Sequence, residues 1–218
     1  MSLNVNHCVP EDARGLAEAY LATYGPLSRF HATYYCVPEE TLLKGFEEDF
    51  RKEIELQHQP SATQEIHLLK VNDPSTNEII AFAIWKYLPH GYRAEEDSDI
   101  QVNEQPEGTD ELLLRHVYGM TGKLRSEHSG RHEAHWCTHP QHERRGAGRL
   151  LINWPFAQAD KDGKKCYVDA SPIGYKLYKK CGFEQEVGEM KINIDEYAPQ
   201  FGYGTVRWVA LLREPHVV

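Results

Sequence analysis

Apolar positions recur along the chain with two periods, one of strands and one of helices. Leu3 to Val9 alternates weakly and predicts a first strand. Pro10-Glu11-Asp12 then opens a helix to about Thr23. Proline suits a first helical turn, carboxylates suit its positive end, and Leu16, Ala19 and Tyr20 repeat at helical spacing. Gly25-Pro26 ends it. Glu39 to His58 predicts a second helix, with Leu42, Leu43, Phe46, Phe50 and Ile54 along one face. Two strands follow, Ile66 to Val71 and Ile79 to Leu88, joined by Asn72-Asp73-Pro74-Ser75-Thr76-Asn77, which has the composition of a hairpin turn.

Pro89 to Thr109 is polar and acidic and predicts an exposed loop. Asp110 to about His128 is helical, with Leu113, Val117, Met120 and Leu124 stacked. A short strand at about Glu133 to Thr138, a polar turn and a helix from Gly146 to about Asp160 come next. Ala147, Leu150, Leu151, Trp154 and Ala157 form that helix's apolar stripe, and Pro155 within it predicts a kink near Trp154 or a restart. A strand (Lys165 to Ala170), a short helix (Pro172 to Cys181) and two late strands (Glu184 to Ile194, Thr205 to Leu212) complete the chain. Strands mixed with helices, and hairpins at both ends, imply an α/β (α+β) fold around one mixed central sheet rather than a purely parallel one.

The chain has 218 residues, 40% of them hydrophobic, enough for a sizeable core. With no repeat and no Ser/Gly-rich linker, residues 1–218 are expected to form a single domain. The longest apolar run, Ile79 to Trp85, has seven residues, far short of a membrane span. The first residues lack a basic end followed by an apolar stretch, so no signal peptide is expected. The net charge of −9 argues against a general nucleic-acid binder, while leaving room for a local basic site. The five cysteines are odd in number and none are spaced Cys-x-x-Cys, which favours reduced thiols and a cytoplasmic location.

The stretch richest in chemistry is Thr138-His139-Pro140-Gln141-His142-Glu143-Arg144-Arg145-Gly146-Ala147-Gly148-Arg149. A strand ends, a polar turn follows, and two glycines one residue apart open an amphipathic helix. Small residues there let the backbone turn tightly and leave amides pointing outward at the positive end of a helix, with Arg144, Arg145 and Arg149 adding charge. This arrangement suits a pyrophosphate. The P-loop pattern is absent. The dinucleotide pattern Gly-x-Gly-x-x-Gly fits in part: Leu151 holds the third position, and Asp169 lies about where a ribose-binding acid would be. A glycine-bearing helix start with no ligand is the plain alternative.

The same residues resemble the coenzyme A loop of the GNAT superfamily of N-acetyltransferases, Gln/Arg-x-x-Gly-x-Gly/Ala. Glu143-Arg144-Arg145-Gly146-Ala147-Gly148 fits all but the first position, where Glu143 replaces Gln or Arg. Downstream, Ser171-Pro172-Ile173-Gly174-Tyr175-Lys176-Leu177-Tyr178-Lys179-Lys180-Cys181-Gly182-Phe183 resembles that family's Asn-x-x-Ala-x-x-Leu-Tyr-x-x-x-Gly-Phe segment, with Ser171 in place of Asn. Ser171 is also a good helix cap, and Ile173, Leu177 and Cys181 are expected to face the core. The resemblance implies a sheet of about six to seven strands, splayed in the middle and flanked by helices, with a coenzyme A-binding core at about 131–184.

It further implies an acyltransferase that moves an acetyl group from acetyl-CoA to a primary amine of a small molecule or peptide by direct attack in a ternary complex. Trp136, Cys137 and Thr138 would supply oxyanion donors, with Glu143, Arg144, Arg145, Gly146, Ala147, Gly148, Arg149 and Ser171 around the coenzyme. Tyr178 would touch the coenzyme and act as general acid. For the base, Glu133 and His135 share a face of the strand before the loop, and a water relay is a further route. A non-catalytic acetyl-CoA-binding module and a nicotinamide-dependent oxidoreductase are the other classes; a homodimer is common in the family.

Acidic balance favours a cationic acceptor, and Tyr20, Tyr24, Tyr34 and Tyr35 are either an aromatic wall near it or ordinary packing. His128, His132, His135, His139 and His142, with Cys137, fall within fifteen residues. The zinc-protease spacing His-Glu-x-x-His is absent there, and no metal is expected.

Overall fold

The computed structural model describes residues 3–61, 64–88, 90, 105–128, 132–138 and 144–216, with the backbone alone through 132–138. Most of the expected loop 89–109 lies outside these residues, as do His139, Pro140, Gln141, His142 and Glu143.

The element order is β1 (Val5–His7), α1 (Ala13–Tyr24), α2 (Ser28–Tyr34), α3 (Glu39–Gln57), β2 (Glu65–Asn72), β3 (Ile79–Tyr87), α4 (Glu111–His128), β4 (His132–Thr138), α5 (Ala147–Asn153), α6 (Phe156–Lys161), β5 (Cys166–Ala170), α7 (Tyr175–Lys180), β6 (Gln185–Asn193) and β7 (Thr205–Arg213). The fold is therefore mixed α/β. Pro10–Asp12 forms a 3-10 turn ahead of α1, where Asp12 accepts a hydrogen bond from the Val9 amide at 2.7 Å. The same carboxylate pairs with Lys70 of β2, pinning the start of α1 to the sheet.

Strands lie in the order β1-β2-β3-β4-β5-β7-β6. β1 to β4 are successively antiparallel, and β5-β7-β6 form a second antiparallel block. Among the described residues the blocks meet in parallel through two pairs, His132 with Cys166 and Glu133 with Tyr167. On one face, α1 and α3 bury Leu16, Phe50 and Ile54 against Leu68 and Phe82. On the other, Leu151 and Ile152 of α5 and Ala159 of α6 pack on Leu69, Val71, Ala83, Trp85 and Val168. Each fully buried Leu or Ile contributes about 2 kcal/mol relative to exposure. Leu113 and Val117 of α4 pack on Met190 and Ile192 of β6.

Three local readings change. The expected helix from Gly146 to Asp160 is two helices, α5 and α6, broken at Trp154-Pro155. Leu150 and Trp154 of the expected stripe are exposed because α5 turns Leu151 and Ile152 to the sheet, and beyond the restart Ala157 is exposed and Ala159 buried. Ile173 is 69% exposed rather than core, because residues 172–174 form a turn and α7 starts at Tyr175. Helix α2 was not expected at all: its seven residues start at Ser28, after an N-cap, Leu27, whose side chain cannot cap.

Candidate functional site

The site is built where the two blocks part. Beyond Glu133 and Tyr167 no further β4–β5 pair is recorded among the described residues, so the second half of β4 has β3 on one side and a gap on the other. Backbone donors and acceptors on that edge are open to an extended ligand. At the far end of β4 the chain re-enters the described region with Arg144 at φ +62° and Gly146 at φ +91°, and α5 begins at Ala147. Two left-handed residues bracketing Arg145 turn the chain sharply into α5, a backbone form in which successive amides can face an anion. The first intrahelical bond runs from Leu150 N–H to Gly146 O at 3.1 Å, which leaves the amides of Ala147, Gly148 and Arg149 in the uncapped first turn. A Cβ built on Gly146 meets nothing within 4 Å, so the space over the bend is open.

The arginines divide. Arg144 and Arg149 are exposed beside the bend. Arg145 instead reaches Asp73 in the β2–β3 turn, with Nη1 to Oδ2 at 2.5 Å. The Ser75 amide and then the Arg145 guanidinium hold the Asp73 carboxyl at about 2. Sequence reasoning placed Asp73 only in a turn; its separation from Arg145 leaves no periodic signal.

Across the gap, Ser171 accepts a hydrogen bond from the Gly174 amide at 3.2 Å and starts the turn into α7. Tyr178 is the buried residue of α7, packed with Val168 and Ala170 of β5 and edge-on to Phe183 at 5.3 Å. Burial pushes its hydroxyl well above the ordinary tyrosine range, and Tyr24, Asp169 and Cys181 push it the same way. The hydroxyl therefore feels Tyr24 of α1 and Asp169 of β5 together. Asp169 accepts from Arg125 Nε of α4 at 2.9 Å and from the Tyr167 hydroxyl at 2.7 Å. The acid that a dinucleotide pattern would give to ribose is thus held by Arg125, itself 7% exposed.

In β4, register places Glu133 opposite Lys86 and Tyr167, His135 opposite Ile84, Trp136 opposite Ala83, Cys137 opposite Phe82 and Thr138 opposite Ala81. The pleat puts positions 133, 135 and 137 on the Tyr167 face. Among the described residues no group of three or more His, Cys, Asp or Glu could hold a metal.

A cavity of about 560 Å³ opens between α1, α2 and the start of α3. Phe30, His31, Tyr34 and Tyr35 line it with Glu18 and Glu39, and no Lys or Arg does among the described residues. Tyr20 and Tyr24 turn away into an aromatic cluster with Phe30, Phe46 and Phe50, with Tyr20–Tyr24 centroids 4.6 Å apart. Tyr20 and Tyr24 pack on each other, and Tyr24 also acts electrostatically on the Tyr178 hydroxyl. Tyr34 does both: it lines the cavity, and its hydroxyl donates to Gln105 Oε1 at 3.0 Å.

No family model and no curated protein matches the sequence. Solved structures do match in shape. A polyamine N-acetyltransferase of Drosophila melanogaster, described as forming N-acetylagmatine, is 15% identical, with 98% of this chain and 100% of that chain covered and a TM-score of 0.63. A variant agmatine N-acetyltransferase in its apo form is 14% identical over 98% and 100% of the two chains, at a TM-score of 0.65. A GNAT-superfamily phosphinothricin acetyltransferase of Sinorhizobium meliloti, solved with AcCoA, is 14% identical over 99% and 89%, at a TM-score of 0.53. With identities this low, the likeness speaks for architecture: this chain has the fold of the GNAT acetyltransferases.

Proposed function

We propose that the chain is an acetyl-CoA-dependent N-acetyltransferase acting on a small cationic amine. The observation that carries this reading is the left-handed bend at Arg144 and Gly146, opening α5 at the end of a strand whose second half has lost its β5 neighbour. The donor set fits a diphosphate: first-turn amides of Ala147 to Arg149, open space over Gly146, and the exposed Arg144 and Arg149. Acetyl-CoA supplies an activated thioester. Along the open edge of β4, the backbone of Trp136, Cys137 and Thr138 would pair with an extended arm and polarise a carbonyl oxygen as charge develops on it.

Tyr178 is the general acid of this scheme. Its buried hydroxyl stays protonated at neutral pH, so it has a proton to give to a departing thiolate. A protonated amine must lose a proton before it attacks. Glu133, in register with Lys86 and Tyr167, is assigned as the base or as the first acceptor of a water relay. For the acceptor, the net charge of −9 favours a cation through long-range attraction. Agmatine and polyamine acetylation by two proteins of like architecture points the same way.

The test is thiol release from acetyl-CoA across polyamines, agmatine, amino acids and peptides. Release with the cationic amines supports the reading. Release with none of the panel, or equal release without an acceptor, contradicts it.

A further inference from the structure

We propose that Asp73 is the positioning residue of the phosphate-binding bend, acting through Arg145. The proposal rests on the acetyl-CoA reading above and assigns Arg145 a different task from Arg144 and Arg149.

Asp73 is itself held rigidly. Its Oδ1 accepts from the Ser75 amide at 2.7 Å. Its own amide donates to Glu78 O, and its carbonyl accepts from the Asn77 amide, both at 2.8 Å. Asn77 sits at φ +63°, and the Asn72 side chain donates to the Asn77 carbonyl at 2.8 Å. Asp73 is a buried residue, and its Oδ2 accepts from Arg145. The turn is thus a fixed post at the end of the β2–β3 hairpin, reaching 72 residues along the chain to the bend.

The bend needs such a post. Arg144 has a Cβ and sits in the left-handed region, a conformation that persists where the surroundings over-determine it. Arg145 lies between the two left-handed residues, so fixing its side chain fixes the direction of the backbone on both sides. Its Nη1 is committed to the Asp73 carboxylate in a charge-assisted bond, which turns the guanidinium toward the β2–β3 turn. The positive charge presented to a diphosphate then comes from Arg144, Arg149 and the first-turn amides, and Arg145 works by shape.

A double-mutant cycle separates shape from contact. Acetyl-CoA is titrated calorimetrically into the wild type, Asp73→Asn, Arg145→Gln and the double variant. Each single change is expected to weaken binding about tenfold, with the double no worse than either single change, because both remove one link. Turnover at saturating acetyl-CoA stays within about twofold, so the loss falls on KM and not on kcat. The exchanged pair Asp73→Arg with Arg145→Asp recovers part of the affinity. Without ligand, amide hydrogen exchange over residues 144–150 quickens in Asp73→Asn. Additive losses, a loss confined to Arg145→Gln, or unchanged exchange in Asp73→Asn overturn the assignment while acetyl-CoA binding by the wild type stands. A wild type that binds no acetyl-CoA overturns the coenzyme reading and this assignment with it.

Discussion

Trp85 donates its indole N–H to the backbone carbonyl of Leu151 at 3.0 Å, and the residue four places after Leu151 is Pro155. In a continuous helix that carbonyl would accept from the amide of residue 155, which proline lacks. The buried indole of β3 stands in for the missing donor. This lets the chain break between α5 and α6 without an orphaned carbonyl, and it fastens the helix that begins at the bend to the centre of the sheet.

Trp85→Phe therefore removes a donor as well as packing, and is expected to cost about 3 kcal/mol of stability. In a Pro155→Ala background the amide returns, and the same change should cost about 1 kcal/mol less. Urea unfolding of the four proteins measures this; equal costs in both backgrounds would refute the substitution of indole for amide.

Gly146 pays no steric penalty at φ +91°, and a Cβ there has open space. Gly146→Ala should thus act through the backbone alone, at about 1–2 kcal/mol. Acetyl-CoA affinity is expected to fall about tenfold or more, since 1.4 kcal/mol is a factor of ten. Calorimetry reads the change, and an unaltered Kd would detach the bend from the coenzyme.

Tyr178→Phe removes the hydroxyl and keeps the ring against Phe183. Turnover is expected to fall about 100-fold or more, with acetyl-CoA affinity nearly unchanged. Because burial raises the folded-state value, the proton is present at every pH below the ordinary tyrosine value, near 10.0, and is lost only above it. The wild-type pH–rate curve should show no descending limb from this group below that value. A variant as active as the wild type would remove Tyr178 from the chemistry.

Asp73 provides an acid-stability test. Its carboxyl titrates at about 2 in the folded chain, against an ordinary 3.8. A depressed value contributes stability that is fully present above the ordinary pKa and is lost as pH falls through the folded one. Asp73→Asn should flatten the stability curve between those two values and leave its shape above them unaltered. Thermal melts across that window check it; identical acid limbs would show that the Ser75 and Arg145 contacts do not bear on folding.

Periodicity and turn chemistry made most of the element order legible. Leu42, Leu43, Phe50 and Ile54 face the core as their spacing predicts, and Pro155 marks the break it should. Gly146 was legible as a turn glycine before an apolar stripe, but the second left-handed position falls on Arg144 and not on Gly148, which lies inside α5. What stayed hidden depends on phase and on distance. Tyr178 rather than Ile173 is buried because α7 begins three residues after Pro172. The Asp73–Arg145 and Arg125–Asp169 pairs join segments far apart in sequence, so nothing local announces them. Helix α2 is too short and too weakly capped to stand out from its surroundings.

The most direct measurement is a crystal structure of the chain grown with acetyl-CoA. The account predicts the diphosphate against the amides of Ala147 to Arg149 and the pantetheine arm lying along β4 between residues 134 and 138. Coenzyme bound elsewhere, or β4 and β5 paired all the way to Thr138 and Ala170, would contradict it.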